Sequence, residues 1–270
     1  MEIRRIESPT NQRVIQATKL HKKKGREELG RFIAEGIRLA EMAESYAEVD
    51  YVFVTEKCMA GERADTLVKR FLDKEVPVFV VSENILRKVT ATDTPQGIAA
   101  IVKMRDEAMM SVLGNDGNLA CIAVLDGVQD PGNAGTVIRN ADAAGCTGVI
   151  FLKGSVDPFG DKVVRSSMGS LFTIPVINDV TVCELRDFAS EYGIQIFASA
   201  LDENAEEYFS ANLAVPALFV FGNEGSGISS DVLEASDHIL YIPMAGHAES
   251  LNVSAASAVI LFEALKARMK

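Results

Sequence analysis

The second half of the chain alternates between apolar runs and helical patterns, and this alternation constrains the fold most. The runs are rich in Val, Ile, Leu and Phe at successive positions and cover residues 120–125, 148–152, 195–198, 217–221 and 239–242. Strands that are apolar on both faces and are joined by helices are typical of a parallel sheet lying between layers of helices. We therefore predict an α/β domain over 119–270, which closes with a helix over 252–269.

The first hundred residues predict a smaller α/β domain over 1–104. It contains helical patterns at 11–21 and 63–72, a strand-like run at 31–36 that leads into a helix to about 46, and further strand-like runs at 51–55, 76–81 and 97–102. Residues 105–118 then bring charge, methionines and the turn-forming sequence Gly114-Asn115-Asp116-Gly117. We interpret them as a linker between the two domains.

The composition is that of a globular chain, with 48% hydrophobic and 24% charged residues. No apolar run approaches the roughly 18 residues that span a bilayer, and the N-terminus opens no apolar signal region. We therefore expect neither a membrane partner nor secretion. The four cysteines lack a C-x-x-C pairing, which favours a cytoplasmic location and buried structural thiols over disulfides or zinc. They are Cys58, Cys121, Cys146 and Cys183.

The net charge of −11 argues by itself against a nucleic-acid partner, but its distribution is uneven. Residues 1–31 carry nine Lys or Arg against four Glu, a charge of +5, so the other 239 residues carry −16. A basic N-terminal stripe on an acidic body is typical of a localised phosphate-contacting surface. A solvated helix face explains the same charges equally well.

Three polar, glycine-bearing segments follow the ends of apolar runs, at 130–140, 221–228 and 242–254. Polar side chains and glycines at strand ends are typical of a ligand site on an α/β sheet. ATP on a phosphate loop is unsupported because G-x-x-x-x-G-K-[ST] is absent, and the dinucleotide pattern lacks its third glycine. The three histidines have no ligand spacing, so we expect no metal site.

The residues in these segments indicate contacts with a sugar, a base or an anion. Glycines there let the backbone approach a flat ligand, and amide side chains donate and accept at once. Arg139 offers a planar fork of donors that suits a phosphate or carboxylate. The alternatives are a salt bridge from Arg139 to Asp142 or Glu224 and, for Asn133 and Asn252, a helix cap or a turn. The glycines are Gly222, Gly225, Gly227 and Gly246, and Asn223 is the third asparagine of these segments that can bind in this way.

The three segments resemble the three sequence motifs of the SpoU/TrmH family, the RNA 2′-O-ribose methyltransferases of the SPOUT superfamily. N-x-x-x-x-x-R matches at Asn133 and Arg139, G-N-E-G-x-G matches at 222–227, and I-P-M-x-G-x-x-E-S-L-N-V-S matches from 242 to 254. The N-terminal region resembles, more loosely, the ribosomal-protein-like substrate-binding domain of the family. That match lies in Ser8-Pro9-Thr10-Asn11 and from 23 to 36.

The resemblance implies a parallel sheet with a deep trefoil knot, a homodimer, and S-adenosylmethionine as cofactor. The knotted loops of the family hold this cofactor largely through backbone groups. The residues implied here as cofactor-binding are Ser199, Ala200, Gly222, Asn223, Gly227, Ile242, Met244 and Leu251. The basic stripe is implied as RNA-binding, through Arg4, Arg13, Lys22, Lys23, Lys24 and Arg26.

The implied reaction is attack of a ribose 2′-oxygen on the sulfonium methyl group. In the family, the arginine matching Arg139 is proposed as the catalytic group. Because an arginine essentially never loses its proton in proteins, we expect Arg139 to bind an RNA phosphate and orient the hydroxyl. Glu224 is expected to orient Arg139 or the RNA. Asn133, Ser250 and Asn252 are expected to hold ribose, phosphate or the methionine moiety.

The RNA substrate is the least determined part of this interpretation. Ribosomal RNA is favoured because the family associates an N-terminal domain of this type with ribosomal substrates, which is analogy at the level of the fold. A transfer-RNA ribose or base methyltransferase of the same fold and a non-catalytic RNA-binding protein remain alternatives.

Overall fold

The computed structural model describes residues 3–114 and 119–269. Three residues of the predicted linker turn, at 115–117, therefore lie outside the described residues. The strands are β1 (Arg4–Ile6), β2 (Arg31–Glu35), β3 (Val49–Val54), β4 (Val78–Val81), β5 (Ile98–Lys103), β6 (Cys121–Asp126), β7 (Gly148–Leu152), β8 (Val176–Val180), β9 (Gln195–Ser199), β10 (Glu206–Glu207), β11 (Ala217–Gly222) and β12 (His238–Tyr241).

The α-helices alternate with these strands along most of the chain. They are α1 (Gln12–Lys19), α2 (Lys23–Leu29), α3 (Ile37–Tyr46), α4 (Glu56–Met59), α5 (Glu62–Asp73), α6 (Glu83–Val89), α7 (Pro131–Ala143), α8 (Asp161–Ser166), α9 (Val182–Tyr192), α10 (Ser230–Ala235) and α11 (Val253–Arg268). Two 3₁₀ helices cover Met109–Leu113 and Ser170–Phe172. Within the described residues, no helix combines the length and the apolar character needed to cross a membrane.

The chain divides into two compact units, and the first consists of Met1–Asp106 together with Phe159–Phe172. Its mixed sheet has the order β1-β4-β3-β5-β2, in which β5 is antiparallel to both β2 and β3. The predicted strands β2 to β5 and helices α1, α3 and α5 are confirmed. The sequence did not predict β1, which has only three residues, or α2, whose sequence KKGREEL has no apolar period.

The segment 159–172 belongs to the first unit although it lies late in the chain. The ring of Phe159 lies 5.3 Å from that of Phe32, and Asp161 Oδ2 lies 2.9 Å from His21 Nδ1. The predicted boundaries assign this segment to the second domain, whereas its contacts tie it to the first unit. Aromatic packing between distant segments leaves no local pattern, so periodicity could not show it.

The second unit, formed by Glu107–Pro158 and Thr173–Lys270, contains the parallel sheet that the apolar runs predict. Its seven strands are all parallel in the order β10-β12-β9-β11-β6-β7-β8. The five predicted strands are confirmed, whereas β8 and β10 were not predicted. Part of the predicted linker belongs to this core, because Val112 in the first 3₁₀ helix is fully buried among its residues.

Candidate active site

The carboxyl-terminal edge of the parallel sheet carries the three polar segments. Strand β6 ends at Asp126, five residues before α7 begins at Pro131, and β11 ends at Gly222, where the second segment starts. The third segment follows β12 and leads into α11. Since every strand of this sheet runs in the same direction, these ends lie along one edge. The sheet therefore brings the three polar segments to one edge.

A chain of side-chain hydrogen bonds joins the three segments to one another. Asn133 Nδ2 donates to Glu224 Oε1 over 3.0 Å, and Asn252 Nδ2 donates to Asn133 Oδ1 over 3.0 Å. A carboxylate can only accept, so Glu224 sets the orientation of the Asn133 amide, which in turn sets that of Asn252. Residues separated by about a hundred positions are thereby held in one arrangement. We call these three residues the amide chain.

Glu224 binds the loop before α7 as well as Asn133. Its carboxylate accepts the backbone N–H groups of Gln129 and Asp130, each over 3.1 Å. Partial burial raises the pKa of Glu224. Hydrogen bonds from Asn133 and from these N–H groups lower it by more, so the pKa lies below its ordinary value. Glu224 is therefore ionised at neutral pH and stabilises the loop; it forms no hydrogen bond with Arg139 among the described residues, and its expected role toward the RNA stays a prediction.

Both helices that meet at this edge have capped N-termini. Asp130 Oδ1 accepts the N–H of Asn133 over 2.8 Å at the start of α7. Asn252 Oδ1 accepts the N–H of Ser254 over 2.9 Å at the start of α11, so the expected cap at Asn252 is confirmed. Asn140 Nδ2 donates to the backbone oxygen of Ser254 over 2.8 Å and thus ties α7 to α11.

Arg139 lies exposed on α7, and no described residue accepts a hydrogen bond or forms an ion pair with its guanidinium. Neither alternative partner is engaged with it: Glu224 binds Asn133, and Asp142 Oδ1 accepts from Thr173 Oγ1 over 3.1 Å. An exposed arginine without a partner among the described residues suits an anionic ligand such as phosphate.

The second segment folds into a tight loop that is fixed by Asn223. Its Nδ2 donates to the backbone oxygen of Gly127 over 2.7 Å, and its Oδ1 accepts the N–H groups of Gly225 and Ser226 over 2.8 and 3.0 Å. A Cβ atom at Gly222 would lie 2.4 Å from the carbonyl carbon of Gly227. A glycine is therefore required at Gly222 because the backbone of the same loop approaches it closely. The sequence had suggested that a ligand makes this approach.

Asp126 is a structural residue of the site that sequence reasoning missed. It is buried at the end of β6, and its Oδ2 accepts the N–H of Ser229 over 2.7 Å, which fixes the far end of the second segment. An aspartate that ends an apolar run was the available signal, because a buried carboxylate needs hydrogen-bond donors.

The residues expected to bind the cofactor lie at the ends of three adjacent strands. Ser199 is paired with Phe221 in β11 and with Leu240 in β12, so β9 lies between these strands. Ala200 continues the pairing by donating its N–H to Leu240 over 3.0 Å. Among the other residues expected to bind the cofactor, Ile242 and Met244 are half-buried, whereas Leu251 is exposed, as is Ser250, which was expected among the catalytic residues. The structure does not bring Ser250 into the amide chain.

Arg26 was expected to contact RNA, and the structure contradicts this. Only 5% of the residue is exposed, and its Nη1 donates to the backbone oxygen of Leu20 over 2.6 Å at the end of α1. The guanidinium thus stabilises a helix terminus. Arg13 is also partly engaged within the protein, because its guanidinium lies 4.8 Å from the ring centroid of Phe79.

The other four residues expected to bind RNA, Arg4, Lys22, Lys23 and Lys24, are exposed. Lys23 and Lys24 form i,i+4 ion pairs with Glu27 and Glu28, each over 3.8 Å. Exposed pairs of this kind are weak and are exchanged readily for other anions. Lys22 directly precedes α2, and Arg4 lies in the edge strand β1. The stripe therefore retains Arg4, Lys22, Lys23 and Lys24 as accessible cations.

Solved structures similar to this one include those of RNA methyltransferases. The S-adenosylmethionine-bound rRNA methyltransferase of Sinorhizobium meliloti is 29% identical, covers 98% of each chain and has a TM-score of 0.83. The SpoU methyltransferase AviRb of Streptomyces viridochromogenes, solved with the same cofactor, is 27% identical, covers 96% of this chain and 99% of its own, and has a TM-score of 0.84. The fold and the site thus define a SpoU-type RNA methyltransferase.

Sequence comparison agrees over both units. The model of the SpoU rRNA Methylase family matches residues 120–262, and the model of the MRM3-like substrate binding domain matches residues 11–100. The 23S rRNA (guanosine(2553)-2′-O)-methyltransferase RlmP of Bacillus subtilis is 35% identical, with 96% of this chain and 98% of the relative covered. The chain belongs to the SpoU rRNA methylase family and is an S-adenosylmethionine-dependent RNA ribose 2′-O-methyltransferase.

Proposed function

We propose that this protein methylates a ribose 2′-hydroxyl of ribosomal RNA, with Arg139 and the amide chain at the reacting end. The observation that carries the proposal is that Glu224, Asn133 and Asn252 are mutually fixed at one sheet edge, while the Arg139 guanidinium on α7 has no partner among the described residues. Relatives named as 23S rRNA 2′-O-methyltransferases support ribosomal RNA as the substrate.

The edge formed by β9, β11 and β12 fits S-adenosylmethionine. Half-buried Ile242 and Met244 offer apolar surface to an adenine ring, and Ser199 and Ala200 present backbone groups at the adjoining strand end. A Cβ atom placed on Gly246 would contact no described residue beyond its chain neighbours, so a ligand can approach the backbone there closely. When bound, the cofactor supplies a methyl group on a positively charged sulfur, which is a good leaving group.

Arg139 is proposed to bind the phosphate next to the target ribose through its planar fork of donors. Its guanidinium keeps its proton, so the proton of the 2′-hydroxyl passes to phosphate or water. The amide chain would hold the ribose and the hydroxyl in line with the methyl group, which is where most of the rate gain is expected. Ser250, on the adjoining exposed loop, would contribute to the same contacts.

We also propose that the protein is a homodimer that uses α11. Most of its side chains are apolar, and Ile260, Leu261 and Ala264 are buried within the second unit, whereas Phe262 is 46% exposed. An exposed apolar face on such a helix is typical of an interface between subunits. The trefoil knot and the cytoplasmic location remain predictions.

The proposal is tested by ribose-methylation mapping of total RNA from cells with and without the gene. One ribosomal nucleotide is expected to lose its 2′-O-methyl group in the deletion and to regain it when the gene is restored. Loss of a transfer-RNA ribose methyl group, or of a methylated base, would instead establish one of the alternative substrates. An unchanged methylation pattern would favour a non-catalytic RNA-binding protein.

A further inference from the structure

Two thiols lie against each other at the amino-terminal edge of the parallel sheet, opposite the active site. Cys121 begins β6, and Cys146 lies two residues before β7. Their Sγ atoms are 3.4 Å apart, and the residues are only 2% and 9% exposed. Thr147 holds the two backbones together, since its N–H donates to the oxygen of Cys121 over 2.7 Å.

A half-buried cation, Arg268, accompanies the pair. Arg268, at the end of α11, donates through Nη2 to the backbone oxygen of Val215 over 3.0 Å, and its guanidinium lies 5.9 Å from the ring centroid of Phe219. Its Nε atom is buried and has no hydrogen-bond partner among the described residues. A buried N–H of a cation strongly favours an anionic acceptor.

The surroundings make the two thiols unequal. A hydrogen bond from Cys146 lowers the pKa of Cys121, burial opposes this, and the charge of Arg268 lowers it further, to about 7. The same hydrogen bond, together with burial, raises the pKa of Cys146. The charge of Arg268 and the contact with Cys146 thus favour the thiolate at Cys121 over Cys146, so Cys121 is the better nucleophile of the pair.

We propose that Cys121 and Cys146 are a site of reversible oxidation, at which a hydroperoxide converts the two thiols into an intramolecular disulfide. With hydrogen peroxide, the Cys121 thiolate attacks one oxygen, the O–O bond breaks, and a sulfenic acid and hydroxide form. The Cys146 thiol then attacks the Cys121 sulfur, and the S–O bond breaks with release of water. Both sulfurs are oxidised and the peroxide supplies the oxidising equivalents.

The geometry requires little movement for this reaction. A disulfide has sulfurs about 2.05 Å apart, so the Sγ atoms must approach by only a fraction of their present separation. The oxidised pair no longer carries the thiolate that faces Arg268. Neither cysteine belongs to the segments that form the active site, so oxidation can be followed independently of methyl transfer.

The test treats the full-length protein with hydrogen peroxide, blocks the remaining thiols with an alkylating reagent, and maps the peptides by mass spectrometry. We expect a peptide pair linked through Cys121 and Cys146 that dithiothreitol separates, and a rate of formation that rises with pH through about 7. Exposed Cys183 is the internal comparison and is expected to remain outside this link.

Two variants refine the test. In Cys146→Ser, the sulfenic acid on Cys121 has no resolving thiol and should be trapped by dimedone. Arg268→Gln should form the disulfide about tenfold more slowly at pH 7 than Arg268→Lys, because the thiolate fraction falls when the cation is removed. The proposal is overturned if folded wild-type protein oxidises Cys183 while Cys121 and Cys146 stay reduced. It is equally overturned if the link forms only in denaturant.

Discussion

Arg139 differs from the other functional side chains because the fold provides no ionic partner for it among the described residues. Glu224, Asn133 and Asn252 satisfy one another, whereas the guanidinium of Arg139 is exposed on α7. Side chains that pair internally are held for positioning, whereas an exposed cation without an internal partner is ready to receive an anion. This contrast assigns the phosphate contact to Arg139 in our proposal.

We predict that Arg139→Ala reduces methyl transfer at least about a hundredfold and leaves cofactor affinity nearly intact, because it removes a contact to RNA and leaves the strand-end cradle unchanged. Stability should change by less than about 0.5 kcal/mol, since Arg139 is exposed. Single-turnover transfer and calorimetric cofactor binding measure the two effects. Arg186→Ala, an exposed arginine on α9, is the control and should leave both unchanged. Unchanged turnover in Arg139→Ala contradicts the assignment.

The sequence predicted part of the site at the residue scale. The resemblance identified Asn133, Glu224 and Asn252, but it could not show that they hydrogen-bond to one another, since that follows from strand order. Arg26 was wrongly assigned to RNA because charge patterning does not distinguish a solvated cation from one that binds a helix end. Cys183 is exposed, so the expectation of buried cysteines fails there.

At the scale of elements, the 3₁₀ helix Met109–Leu113 packs closely on β7 at Gly148. A Cβ atom on Gly148 would lie 2.4 Å from the Val112 side chain. We predict that Gly148→Ala destabilises the protein by about 1–3 kcal/mol through overpacking. Adding Val112→Ala should recover part of this loss, giving a favourable coupling in denaturant unfolding. Strictly additive losses would show that the helix does not pack on β7 as described.

His21 joins α1 and α2 to the segment that carries α8. The hydrogen bond to Asp161 raises the pKa of His21, and burial only partly opposes this. A raised histidine pKa contributes stability that is complete below the unfolded value of about 6.5 and is lost as pH rises through the folded value. We therefore predict that wild-type protein loses more stability than His21→Gln between about pH 6 and about pH 8.

Denaturant titrations at both pH values measure this difference. Asp161→Asn should flatten the pH dependence in the same way as His21→Gln, and His247→Gln, at an exposed site, should leave it as in wild type. Parallel curves of stability against pH for wild type and His21→Gln would show that the His21–Asp161 pair does not contribute to the pH dependence.

Periodicity predicted the long elements and failed on the short or irregular ones. Strands such as β6 and β11 are buried throughout, so their apolar runs are unambiguous. Strand β8 carries Asp179 with φ 58°, and β10 has only two residues, so neither shows a strand pattern. Strand pairing depends on contacts between residues that are distant in sequence. The same is true of the packing of 159–172 in the first unit.

At the scale of the whole molecule, the charge is divided between a basic N-terminal stripe and an acidic remainder. Replacing Lys22, Lys23 and Lys24 with Gln should weaken RNA binding about tenfold or more and reduce the slope of log affinity against log salt by about 2. Cofactor affinity should not change. The matched control replaces three other exposed lysines of the first unit, Lys57, Lys69 and Lys88. Equal losses in both variants would show that only net charge matters.

The most direct test of the central claim is the chemistry of the product. Purified protein, ribosomal RNA and S-adenosylmethionine labelled in the methyl group are incubated, and the RNA is hydrolysed in alkali. A 2′-O-methyl group blocks cleavage of the neighbouring phosphodiester, so the label should appear in an alkali-resistant dinucleotide and should disappear with Arg139→Ala. Label recovered in mononucleotides, on a base, would contradict ribose methylation. Absence of transfer by folded, cofactor-binding protein to ribosomal RNA would contradict the proposed substrate.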